Sequence, residues 1–80
     1  TKGLADYNKS IELKNNDFEA YYYRAELYLR QNSPRGAISD LNISIKLNPN
    51  FAENYFQRAI AHEKLGEVAK AEKKQKKYEE

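Results

Sequence analysis

The chain has 80 residues, and although 32% of them are charged, its formal net charge is only +2. A chain of this length forms one small domain, and so small a net charge gives no argument for a nucleic-acid partner. There is no cysteine, which excludes disulfides and thiolate metal sites and leaves the cellular compartment undetermined. No apolar stretch approaches the length of a membrane span, so we expect no membrane partner.

The pattern of apolar residues predicts helices at about 3–14, 18–31, 34–47, 52–64 and 67–79, and no strand. The first helix carries an apolar stripe of Leu4, Tyr7 and Ile11 on one face. Since the chain begins at Thr1 and contains no methionine, we expect a fragment that lacks the helix meant to cover this stripe. The stripe therefore predicts a homo-oligomer formed through the N-terminal helix.

Capping residues support these boundaries. Asn16 and Asn50 each stand three residues before a glutamate, which is close to a capping box and predicts a helix start just after each asparagine. Ser33 followed by Pro34 indicates another helix start. Pro49 ends the third helix, because a proline disfavours helical backbone in the residue before it.

A turn is predicted at residues 65–67, where Gly66 would take the left-handed conformation that ends many helices. The helix after this turn is polar at the positions where the third helix is apolar: Glu72, Gln75 and Glu79 replace Ile38, Leu41 and Ile45. This replacement predicts a capping helix at the end of an array.

An offset of 34 residues relates one part of the chain to the next. A fixed period of this size is typical of stacked supersecondary units that bury a shared core. The residues that recur at this offset are Asp6, Asn8, Ser10, Ile11, Leu13, Asn16, Glu19, Tyr21, Arg24, Ala25 and Ala37.

Within one period the order is aromatic, small, tyrosine, alanine, large apolar and proline, carried by Tyr21, Ala25, Tyr28, Ala37, Leu41 and Pro49. This order resembles the tetratricopeptide repeat. The resemblance implies an all-α fold, a right-handed superhelix of antiparallel helix pairs with about 2.5 repeats. It divides the chain into a half repeat at 1–16, a full repeat at 17–50 and a degenerate capping repeat at 51–80.

The same resemblance implies a protein-protein interaction module that binds a peptide segment through the concave side of its first-type helices. Aromatic side chains there would form an apolar strip with a charged rim, although any one ring could instead pack into the seam between repeats. The predicted partner-binding residues are Tyr22, Tyr23, Glu26, Arg30, Phe56, Gln57 and Ile60, with Glu19, Glu53 and Lys64 beside them.

One familiar ligand of such repeats, the acidic C-terminal tail of cytosolic heat-shock chaperones, is disfavoured here. The positions that grip that tail with amides and cations hold residues such as Tyr22, Tyr23 and Glu26. Glu19, Glu26 and Glu53 would repel a carboxylate. The sequence favours a partner segment with apolar anchors and a basic residue or two, bound as an extended strand or a short helix.

Arg24 and Arg58 occupy positions where the repeat usually has leucine, and each comes 18 residues after an aspartate. Ion pairs of Asp6 with Arg24 and of Asp40 with Arg58 would connect adjacent repeats. An ion pair of Arg24 with Asp40 inside one repeat is the alternative. Either arrangement is structural.

Catalysis is not expected. His62 is the only histidine, it stands one period after Tyr28, and packing beside the seam explains it without a ligand. No residue pattern predicts a metal, a cofactor or a catalytic group. Two alternatives to peptide binding remain: a self-assembly module for copies of the parent protein and, less favoured, a basic solenoid that contacts nucleic acid.

Overall fold

The computed structural model describes residues 16–79 together with Asn8, Lys9 and Ile11, and its description of side chains ends at Glu72. These residues form an all-α structure. Asn8, Lys9 and Ile11 are helical, and three longer helices come after them: α1 (Phe18–Arg30), α2 (Pro34–Leu47) and α3 (Ala52–Glu79). The described part of the chain contains no strand, as the sequence predicted.

Both ends of α1 are fixed by hydrogen bonds. The N-cap is Asp17, whose carboxylate accepts from the Glu19 backbone N–H at 3.1 Å, and the helix begins at Phe18, the predicted position. At the other end Asn32 takes the left-handed conformation (φ 59°). Ser33 N–H donates to the Tyr28 carbonyl at 2.8 Å, which closes a Schellman motif.

Small residues allow α1 and α2 to pack closely. Ala25 and Ala37 are both fully buried. Gly36 faces the Tyr28 ring so closely that a Cβ at this position would lie 3.2 Å from ring atoms. The predicted start of α2 is confirmed, with Ser33 as N-cap and Pro34 in the first turn, although the Ser33 side chain makes no capping hydrogen bond.

The third helix differs from the prediction. Instead of two helices that meet at Gly66, α3 runs without interruption for 28 residues. Gly66 lies inside this helix, and no glycine in the described residues has a positive φ. The predicted turn at residues 65–67 was therefore wrong, because a glycine permits a left-handed conformation without requiring it. The first part of α3 packs against α2, and further along the helix Glu72 accepts from Arg35 of α2 at 3.2 Å.

The core lies where the three helices meet. Leu41 and Ala61 are fully buried, and Leu29 joins them from α1. Ser44 is also buried, and its hydroxyl donates to the Phe18 carbonyl at 2.9 Å, which holds the start of α1 against α2. The predicted end of α2 at Leu47 is confirmed.

Candidate functional site

The predicted partner-binding residues divide into a buried ring and an exposed rim. Phe56 is 68% exposed and Tyr23 is 40% exposed. Gln57 and Ile60 are half-buried, and Ile60 packs against the core. We call the exposed and half-buried members on α1 and α3 the inner face: Tyr23, Glu26, Arg30, Phe56, Gln57 and Ile60.

Tyr22 does not lie on the open strip. It is 8% exposed and belongs to the core, where its ring meets the Phe51 ring edge-on at 5.0 Å and the Tyr23 ring at 5.3 Å. The Gln57 amide of α3 donates to the Tyr22 hydroxyl at 3.5 Å. Tyr22 thus links α1 to α3 beneath the inner face. Packing of a ring into the seam between repeats was the alternative to exposure on the apolar strip.

The charges around the inner face are unevenly placed. Glu19 and Glu53 lie in the first turns of α1 and α3 and are exposed. Arg30 lies in the last turn of α1, where it donates to Glu26 at 3.4 Å. This exposed pair, four residues apart on one helix, contributes little to stability. Both side chains therefore remain available to a partner.

A buried ion pair joins α1 to α2. Arg24 donates to Asp40 through Nε at 2.7 Å and through Nη2 at 2.6 Å, and Asp40 is 3% exposed. The hydrogen bonds to Asp40 raise the pKa of Arg24 above its ordinary value, against the opposing effect of burial. The alternative pairing inside one repeat is therefore confirmed. Arg58 forms no ion pair with Asp40, and Asp6 lies outside the described residues.

Between repeats the two arginines bind asparagine partners that were not predicted from the sequence. Arg24 Nη1 donates to the Asn8 side-chain oxygen at 2.8 Å, and Arg58 Nη1 donates to Asn42 at 2.9 Å. In each pair the two residues are 16 apart, and the two pairs are related by the 34-residue period. The recurrence of asparagine at this offset was the signal that could have identified them.

On one face of the first half of α3, described side chains are exposed where their counterparts one period earlier are buried. Tyr55 is 42% exposed and Ala59 is exposed, whereas their counterparts one period earlier, Tyr21 and Ala25, are 7% and 0% exposed. His62 is exposed as well, so its predicted packing in the seam was wrong. The cause is the missing turn at Gly66, since the residues after it do not fold back.

Asn54 is the one described side chain whose buried polar atoms lack hydrogen-bond partners. It is fully buried, and neither its amide nitrogen nor its oxygen finds a donor or acceptor. Its counterpart one period earlier is Ala20, which is 4% exposed. A polar group in this position lowers stability rather than building a site.

In the described residues, no group of histidine, cysteine, aspartate and glutamate side chains is arranged to hold a metal ion. None of the described helices combines the length and apolar character that crossing a bilayer requires. Of the predicted oligomer stripe, Leu4 and Tyr7 lie outside the described residues, and Ile11 is half-buried.

Comparison with known proteins agrees with this architecture. The tetratricopeptide repeat family model matches residues 6–39 and 42–73. The chain is 35% identical over 72 residues to the tetratricopeptide repeat and J domain-containing co-chaperone DNJ1 of Cryptococcus neoformans var. grubii, an alignment that covers 90% of this chain and 14% of that protein. No solved structure matches. The repeat period, the helix pair and the family match show that this chain belongs to the tetratricopeptide repeat family, a family of protein-protein interaction modules.

Proposed function

We propose that the chain binds a peptide segment of a partner protein through its inner face. The observation that carries the proposal is Phe56, a large apolar side chain that is 68% exposed. An isolated exposed ring is common, but Tyr23 and Ile60 add apolar surface on the same pair of helices. An aromatic anchor of this kind supplies much of the binding energy in many interfaces.

The charges favour a partner segment with one preferred direction. Glu19 and Glu53 lie at the N-terminal ends of α1 and α3, whereas Arg30 and Lys64 lie further along these helices. A segment with a basic residue at one end and apolar residues in the middle would complement this distribution. An acidic tail would be repelled by Glu19 and Glu53.

The Cryptococcus relative supports a role in protein binding. It is a co-chaperone that combines tetratricopeptide repeats with a J domain. The chain spans 14% of the length of that protein, so the shared part is a module and not the whole activity. We propose that this module contributes protein binding to a longer chain of similar organisation.

The test uses a phage library of random 12-residue peptides, selected on the full 80-residue chain, and fluorescence anisotropy of the enriched peptides. We expect these peptides to contain an apolar core, and we expect Phe56→Ala to weaken their binding about 30-fold or more. Leu47→Ala is the matched control, because Leu47 is an apolar residue of α2 that is 41% exposed. Equal losses for the two variants, or the absence of any enriched peptide, would contradict the proposal.

Self-assembly is the second candidate, and it rests on the apolar stripe that the sequence predicts for residues 4–11. Sedimentation equilibrium of the chain at high micromolar concentration tests it. A mass that rises with concentration would favour self-assembly, whereas a constant monomer mass would leave peptide binding as the function.

A further inference from the structure

A second exposed surface lies on a different side of α3 from the inner face. We define the open seam as Tyr55, Arg58, Ala59 and His62, which share one side of α3 by their spacing. We propose that the open seam docks an amphipathic helix of a partner protein, one that carries a small residue and, three positions later, an aspartate or glutamate.

The α1/α2 pair gives the template for this occupant. One period before the open seam, Tyr21 and Ala25 are buried, and α2 supplies the residues that contact Arg24 and Ala25. The helix that covers them supplies Ala37, which is fully buried, and Asp40, which binds Arg24 through two nitrogens. A helix with the same two features fits the open seam.

Arg58 provides the charge complementarity. Its Nη1 donates to Asn42, as Nη1 of Arg24 donates to Asn8. Arg24 uses its remaining Nε and Nη2 for the Asp40 carboxylate, but Arg58 has no ion pair with any carboxylate of the described residues. The contact between the arginine and a tyrosine ring also recurs. The Arg58 guanidinium lies 5.6 Å from the centre of the Tyr55 ring, and the Arg24 guanidinium lies 5.8 Å from the centre of the Tyr21 ring. What the open seam lacks is the carboxylate.

The chain's own residues after Gly66 do not supply it. The residues one period, or 34 positions, after Gly36, Asp40 and Leu41 are Lys70, Lys74 and Gln75. Folding this segment back would bring a lysine to the position where Arg24 finds a carboxylate, and like charges repel. These substitutions agree with the straight α3 and leave the site open to an acidic partner helix.

The test uses a synthetic peptide of residues 33–48 as the probe, because α2 carries both required features. The peptide is labelled and titrated with the full 80-residue chain in a fluorescence anisotropy assay. We expect binding by the unmodified chain and at least about tenfold weaker binding of an Asp40→Asn peptide, since a charged hydrogen bond is lost. The Arg58→Gln chain should bind the two peptides equally.

Two further variants keep the result decisive. Ala59 is exposed, so Ala59→Leu leaves the core intact and should abolish peptide binding by filling the place of the small residue. Phe56→Ala, on the inner face, should leave this binding unchanged. Circular dichroism confirms that each variant is folded. Absence of binding to the unmodified chain would overturn the proposal. Equal binding to the unmodified chain and to Ala59→Leu would also overturn it, because it would indicate that the peptide replaces the chain's own α2.

Discussion

The ion pair between Arg24 and Asp40 should be the most strongly coupled pair in the structure. Two short hydrogen bonds join the side chains, and Asp40 is almost completely buried. Removal of one member of such a pair typically costs about 3–5 kcal/mol, because the other charge remains buried without a partner. We expect about 3 kcal/mol for Arg24→Ala, near the lower limit, because the Arg24 side chain keeps 19% exposure.

This loss is large for a domain of 80 residues, whose unfolding free energy is about 4–12 kcal/mol at typical values per residue. Urea denaturation monitored by circular dichroism at 222 nm would measure it in Arg24→Ala, Asp40→Ala and the double variant. We expect a coupling free energy of at least about 2 kcal/mol. The matched control is Arg58 with Asp40, which should couple by less than about 0.5 kcal/mol. Additive effects of Arg24→Ala and Asp40→Ala would refute the assignment.

Three further substitutions test the packing by the same denaturation assay. Tyr22→Ala should lower the unfolding free energy by about 3 kcal/mol or more, since the ring is buried; a loss below about 1 kcal/mol would place it outside the core. Asn54→Ala should leave stability unchanged or raise it, because its buried amide has no partner and Ala20 occupies the equivalent position; a loss above about 1 kcal/mol would contradict this. Gly66→Ala should raise the unfolding free energy by about 0.5–1 kcal/mol, because Gly66 is helical and an added Cβ would have no atom within 4 Å. Gly36→Ala should raise it less, because the Tyr28 ring would have to move. A destabilising Gly66→Ala would indicate a turn there.

The sequence predicted the parts of the fold that depend on local chemistry and on the period. The start of α2 is set by Pro34, and its end is set by Pro49, whose ring restricts the preceding backbone. The burial of Ala25 and Ala37 agrees with the order of small and large residues. These features depend on residues close in sequence, or on a repeated unit, so no knowledge of the three-dimensional contacts was needed.

The sequence could not predict features that depend on competition between distant groups. Gly66 stands one period after Asn32, which does take the left-handed conformation, yet Gly66 remains helical. The two positions differ in the segment on their C-terminal side. After Asn32, α2 has Asp40 to hold it against Arg24, whereas the segment after Gly66 has a lysine at the same position. Local turn preference is weak compared with the presence or absence of such a partner.

The exposure of the candidate site residues was predicted in part. The pattern of first-type helices indicated which side of α1 and α3 carries the aromatic residues, and Tyr23 and Phe56 are exposed there. Tyr22 is buried because Phe51, just before α3, and Gln57, in α3, both contact it. The helical period of the sequence cannot show how deeply a neighbouring helix covers a given ring. Binding by these residues remains a proposal.

The uninterrupted α3 underlies the open seam, and its length is the most direct quantity to measure. Because the chain has no cysteine, spin labels can be placed through Glu53→Cys and Lys77→Cys without other changes. At 1.5 Å per residue, pulsed electron spin resonance should give a distance of about 36 Å between the labelled positions. A distance of about 10–15 Å, which corresponds to two helices packed side by side, would contradict the straight helix and close the seam.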